Sequence, residues 1–251
     1  MLPFERLTAA DESAVSPRPD PALFQSGDFV WPKVPGAFVP YDAGSARSAA
    51  EDQARWEAER KRYIDALRAR PDLDSTDRER IKVLSQMTYR DFLAVYEGNQ
   101  TLGVPGAYSG SGFYVGHVGI LDIDSNGKAW VIEAVLGAGV RRVVYDEWLN
   151  ARPKQMVWLG RLRQLSPQAR ASIVPEATKY IGKPYDFWNF DLNDDSGFYC
   201  SKLVWLATFR SLHFAVDGVD RPKRVLWFSP KQLLYCKTVD RLHDPGPYAY
   251  Q

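Results

Sequence analysis

The chain has 251 residues, 45% of them apolar and 25% charged, with a net charge of +1. This is an ordinary globular balance with enough apolar mass for one large core, and no basic run is long enough for a nucleic-acid footprint. Its two cysteines, Cys200 and Cys236, form no C-x-x-C pair, which argues against a disulfide framework and against a zinc centre built on cysteine; no cofactor or metal is expected.

Residues 1–24 read as an irregular lead-in. They lack a basic segment followed by an apolar one, so no secretory signal is expected and synthesis in the cytoplasm is. No apolar run approaches the roughly 18 residues that a membrane span needs. Gly27-Asp28 is a turn that opens a short strand, Phe29-Val30-Trp31, which Pro32, Pro35 and Pro40 should end. Residues 45–70 hold strong helix formers with neither Gly nor Pro, and Trp56, Tyr63 and Leu67 form a stripe on an amphipathic helix. Thr76 with Glu79 fits a capping box for a second helix, and a third is expected from Thr88 to Glu97. Residues 98–116 are glycine-rich and loop-like, the kind of segment that borders a site.

Four strands are expected next, at 117–124, 129–135, 140–145 and 155–162. The short turns between the first three favour an antiparallel meander. Ser166-Pro167 opens a helix that Pro175 should kink or restart and Gly182 should stop. A helix beginning near Cys200 carries Leu203, Val204 and Ala207 on one face, and Ser229-Pro230 opens a short one. The resulting division is a lead-in (1–24), a main domain (25–41 and 99–238), a helical insertion (42–98) and a C-terminal tail (239–251).

Cys200 shares an inward apolar face with its helix, as a plain core cysteine would. Yet its place at the helix start also sets it beside unpaired N–H groups and the positive end of the helix dipole, where a negative sulfur is stabilised. His117, at a strand start after the glycine-rich loop, is the histidine suited to act as base, because His213 and His243 lie in polar segments. Glu133, a carboxylate in the apolar run A-W-V-I-E-A-V, is the candidate to orient His117. That role depends on the turn Asp124-Ser125-Asn126-Gly127-Lys128. A two-residue Asn-Gly loop would put Glu133 on the opposite face from His117. A three-residue loop with left-handed Gly127 sets Glu133 opposite Gly119, diagonal to His117.

The motifs G-K-P-Y at 182–185 and G-F-Y-C-S at 197–201, followed by L-V-W, resemble the signature of NlpC-type papain-like cysteine hydrolases. Because G-H-V-G-I and I-E-A precede the cysteine, the order resembles the circularly permuted branch, YiiX-type hydrolases related to lecithin retinol acyltransferase. G-D-F-V at 27–30 resembles the G-D-x-V strand that opens that branch. The resemblance covers 25–38 and 108–235; Lys202 stands where many members carry Glu. It implies an α+β papain-like fold, an antiparallel sheet with the nucleophile helix packed on it. It implies Cys200 as nucleophile, His117 as base, Glu133 as orienter and Tyr185 as a partner of the oxyanion.

The implied activity is amide hydrolysis through a thioester, on peptidoglycan peptides. Together with the missing signal, this suggests an antibacterial effector sent to the periplasm of a target cell, with a secretion carrier and an immunity protein as partners. Two alternatives stand beside it: a lipid acyl hydrolase or acyltransferase, and a binding module that has lost catalysis. Phe113, Tyr114, Trp188 and Phe190 are candidates to line a substrate groove.

Overall fold

Gly27 takes the left-handed conformation (φ +85°) and turns the chain into strand β1, Phe29–Lys33. A side chain at Gly27 would place its Cβ 2.1 Å from the Arg170 carbonyl oxygen, so the approach admits only glycine. This computed structural model describes residues 18–33, 49–96, 116–153 and 155–246. Strands β2 (Gly119–Ile123), β3 (Ala129–Val135), β4 (Gly139–Val144), β5 (Met156–Leu162) and β6 (Val239–His243) join β1 in one sheet. Its order is β4-β3-β2-β1-β5-β6, and every pairing is antiparallel.

The expected meander is therefore present, as β2, β3 and β4. Pro32 does not end β1: the ladder with β5 runs on to Lys33, whereas the ladder with β2 stops at Val30. The tail expected from residue 239 begins instead as β6, an edge strand beside β5.

The helices are α1 (Ala49–Arg68), α2 (Ser75–Gln86), α3 (Tyr89–Tyr96), α4 (Tyr145–Asn150), α5 (Pro167–Ala171), α6 (Ile173–Thr178), α7 (Cys200–Leu212) and α8 (Pro230–Leu234). The cap of α2 lies two residues earlier than Thr76: Asp74 accepts from the Asp77 N–H at 2.8 Å, and the Asp77 carboxylate accepts from the Asp74 N–H. Lys223 binds both carboxylates, and this tertiary contact favours the Asp74 cap over Thr76 with Glu79. The helix expected after Ser166 is two short helices that meet at Ser172, with Pro175 in the first turn of α6. Gly182, at φ +89°, closes the turn that follows rather than the helix itself.

The two faces of the sheet differ. One carries the main core, where Leu203, Val204, Leu206 and Ala207 of α7 are buried with Ile120, Ile132 and Ala134. The insertion shares this core through Trp56, Ile64, Leu84, Met87 and Phe92. The Phe92 ring lies 4.9 Å from that of Trp227 and 5.9 Å from that of Phe187. Burying such side chains contributes about 2 to 3 kcal/mol each, so α1–α3 are welded to the main domain. The other face is smaller: Val30, Leu121, Val131, Val157 and Leu159 under Tyr145 and Trp148 of α4.

Candidate active site

Cys200 is the first residue of α7, and Tyr199 before it is extended (φ −100°, ψ 165°) and offers no side-chain cap. The first-turn N–H groups are thus left facing the site, beside the thiol. The helix start is pinned from outside: the Tyr199 hydroxyl accepts from the Phe228 N–H at 3.1 Å, and the Ser201 hydroxyl donates to the Phe228 carbonyl at 2.5 Å. Lys202 is fully buried behind them, 3.4 Å from the Asn189 carbonyl oxygen, and burial lowers its pKa to about 8 against the pull of Asp194, Asp186 and Asp191.

The spacing of the two motifs has a structural cause. Tyr185 bridges Phe198 in parallel: the Asp186 N–H donates to the Phe198 carbonyl and the Phe198 N–H to the Pro184 carbonyl, both at 3.0 Å. A Cβ on Gly197 would stand 2.6 Å from that of Asp186, so the two segments meet only with glycine there. Tyr185 is thereby fixed beside the residues that lead into Cys200, and its side chain lines a neighbouring cavity.

His117 arrives from the other side, at the entrance to β2. The 124–128 turn has the three-residue form: Gly127 is left-handed (φ +76°), its N–H donates to the Asp124 carbonyl at 2.9 Å, and Asp124 N–H donates to the Lys128 carbonyl. Glu133 then pairs with Gly119, on the face of His117. Nε2 of His117 lies 2.7 Å from Glu133 Oε2, and the Cys200 side chain is near enough to help hold a proton on the ring. With Nε2 engaged, Nδ1 is the nitrogen left for the sulfur. The Cys200 Sγ stands 4.0 Å from the Gly116 carbonyl oxygen, one residue before His117.

The residues that hold Glu133 were not expected from the sequence. Its carboxylate has no exposed surface. Oε1 accepts two hydrogen bonds from Arg141, at 2.7 and 3.0 Å, and Oε2 accepts from the Trp148 indole at 2.8 Å and from Arg152 at 3.1 Å. Burial by itself would favour the neutral acid, but His117, Arg152 and Arg141 outweigh it and hold the carboxyl far below the usual range. For His117, burial by itself would disfavour the imidazolium, but Cys200 and Glu133 outweigh it and raise it from 6.5 to about 9. Arg141 was within reach of sequence reasoning, since the tight 135–139 turn sets it opposite Glu133. Trp148 and Arg152 were not, because they depend on α4.

His213 is exposed, whereas His243 is half-buried in β6. Both cysteines are free, and burial pushes the Cys236 thiol up to about 12. Phe113 and Tyr114, like most of the 98–116 loop, lie outside the described residues. Phe190 is buried in the core, and Trp188 is half-buried at the cavity. Among the described residues, no group of three His, Cys, Asp or Glu side chains is placed to hold a metal ion, and no helix is long and apolar enough to cross a membrane.

The family of permuted papain-like amidase enzymes, YaeF/YiiX, C92, matches residues 111–231. The uncharacterized protein YiiX of Escherichia coli (strain K12) is 32% identical over 116 residues, 46% of this chain and 55% of its own, so the chain spans just over half of that relative. A crystal structure of yiiX from Escherichia coli O157:H7, described as a metalloprotein, superposes with a TM-score of 0.48 at 19% identity, over 89% of this chain and 98% of that one.

Proposed function

With residues 111–231 matching the permuted papain-like amidases, we propose that this chain is a cysteine amidase that works through a thioester acyl-enzyme. The observation that carries the reading is the placing of Cys200 at a helix start, its Sγ 4.0 Å from the carbonyl of the residue before His117, with His117 bonded to the buried, ionised Glu133. In this reading the imidazole takes the thiol proton, and the sulfur attacks the carbonyl carbon of an amide. The oxyanion is received by the Cys200 backbone N–H and helped by Tyr185. The imidazolium returns its proton to the leaving amine, and water, deprotonated by the imidazole, hydrolyses the thioester.

The substrate we propose is a peptidoglycan peptide. Wild type and Cys200→Ala would be incubated with purified peptidoglycan and the products weighed by mass spectrometry. New amines and carboxylates from wild type alone support the reading, and the fragment masses name the bond. Peptidoglycan left intact by both sinks the substrate assignment. The corresponding proposal for biology is delivery to a target cell's periplasm, with an immunity protein as antidote. Directing the chain to the periplasm should then lyse cells while cytoplasmic expression does not, and equal tolerance of both would end that idea.

A second reading, lipid acyl hydrolysis or transfer, draws on the aromatic lining of the neighbouring cavity by Tyr63, Tyr185, Phe187 and Trp188. Release of fatty acid from lipid amides or esters, with peptidoglycan untouched, would favour it.

A further inference from the structure

We infer that Tyr199 and Ser201 are positioning residues for the nucleophile. Through one shared partner, the Phe228 backbone, they hold the first turn of α7 in place while its N–H groups stay open for the oxyanion. This deepens the amidase reading of Cys200 and rests on it.

A helix start is ordinarily fixed by its own N-cap side chain, which accepts from a first-turn N–H. Helices α2, α5 and α8 follow that pattern: Asp74, Ser166 and Ser229 each accept from the N–H three residues on. Tyr199, at the same position of α7, makes no such bond. Its hydroxyl instead accepts from the Phe228 N–H at 3.1 Å. The Ser201 hydroxyl donates to the Phe228 carbonyl at 2.5 Å. Cys200 therefore stands between two residues tied to the two ends of one backbone unit. Both side chains are buried, so water does not replace either bond.

Phe228 is itself a fixed point. The next residue, Ser229, opens α8 with a reciprocal cap: its N–H donates to Gln232 Oε1 at 2.7 Å, and its hydroxyl accepts from the Gln232 N–H at 3.1 Å. The indole of Trp31, in β1, donates to the Pro230 carbonyl at 3.0 Å. The sheet thus carries the strut on which the start of α7 hangs.

The arrangement separates two tasks that a cap would merge. A Ser or Asp at position 199 would steady the turn, but its oxygen would take a first-turn N–H and compete with the oxyanion for it. Tyr199 and Ser201 steady the turn from outside and leave those donors aimed at the site. Donors that drift by a fraction of an ångström no longer meet the developing charge, so the outside bonds serve the reaction as well as the fold.

Two reagents divide these tasks. With p-nitrophenyl acetate the sulfur adds to the carbonyl through an oxyanion, nitrophenolate leaves and a thioester remains. With iodoacetamide the sulfur displaces iodide, and no oxyanion forms. Relative to its own alkylation, wild-type Cys200 should be acylated at least about tenfold faster than N-acetylcysteine is. Tyr199→Phe and Ser201→Ala should each lower the acylation rate by about tenfold and leave alkylation within about twofold of wild type. Mass spectrometry assigns the adducts to Cys200 or Cys236. A general loosening of the fold moves both rates together. Equal falls in the two rates, or two unchanged rates, overturn the inference, while acylation of the wild type leaves the amidase standing. A wild type acylated no better than the free thiol removes both.

Discussion

Two buried carboxylates in this molecule are built alike and do different things. Asp77 of α2 has no exposed surface and is met by Arg80 at 3.1 Å, Lys223 at 2.6 Å and Arg70 at 3.8 Å. Glu133 is equally buried and is met by Arg141, Arg152, Trp148 and His117. Around Asp77 every cationic partner is a permanent charge or nearly so. Arg80 passes the connection on to the Arg224 and Val225 carbonyls, which ties the insertion to the 217–225 segment. Around Glu133 one partner is an imidazole, raised from 6.5 to about 9, that lies beside the Cys200 thiol. Burial with cations is thus an anchoring device in general. It becomes a chemical one when the ring of partners includes a histidine whose other nitrogen reaches a nucleophile.

The largest expected effects come from removing each carboxylate. Glu133→Gln keeps the volume but loses the charge that orients His117, and turnover should fall by about 10² to 10⁴-fold. Asp77→Ala leaves the buried Arg80 guanidinium without its carboxylate, while Lys223 keeps Asp74, and should cost about 3 to 5 kcal/mol of stability. Measured at a temperature where Asp77→Ala remains folded, its turnover should stay within about twofold of wild type. Urea melts and kcat/KM on the same preparations check both. If the two variants lose turnover alike, the distinction drawn between the sites is broken.

The Cys–His–Glu set was legible because period-two alternation and one turn type fix it. Gly127 in the left-handed region decides that Asp124 pairs with Lys128 and that Glu133 faces His117. Gly197 stands where the two motif segments meet, since a Cβ there would lie 2.6 Å from that of Asp186. What supports Glu133 was less legible. The stretch Y-D-E-W-L-N makes a helix of six residues, too short for an apolar period to show, so Trp148 arrived unannounced. Strand β6, V-D-R-L-H, leaves four of its five residues at least partly exposed and reads as tail. The Asp74 cap was missed because Lys223, far along the chain, selects between two cap candidates only in the folded molecule.

A smaller effect sharpens the comparison. Trp148→Phe removes one donor from Glu133 Oε2 and little volume. It should cost about 1 kcal/mol of stability and lower turnover by about tenfold, since Oε2 also holds Nε2 of His117. A purely structural Trp148 would lower stability and leave the pH profile unmoved. As a positioning residue it shifts the alkaline limb of turnover, because the His117–Glu133 bond is altered. An unchanged limb would return Trp148 to packing alone.

The smallest expected effect is a pH dependence of stability in which the half-buried His117 and the buried Lys202 oppose each other. His117 is raised from 6.5 to about 9, so the folded state binds more protons than the unfolded one between these values. Its contribution is complete below about 6.5 and is lost as pH rises through about 9. Lys202 is lowered from 10.5 to about 8, chiefly by burial, so here the unfolded state binds more protons, and stability rises with pH from about 8 to 10.5. Wild type should therefore weaken from pH 6.5 to 8 and flatten or recover above it. Lys202→Met, which fills the same space without charge, should remove the recovery and leave the decline. Glu133→Gln should shrink the decline and leave the recovery, because the imidazolium loses its strongest charge partner. Urea melts at half-unit steps from pH 6 to 10 separate the two, and a decline that Glu133→Gln leaves untouched would mean that a group other than His117 is titrating.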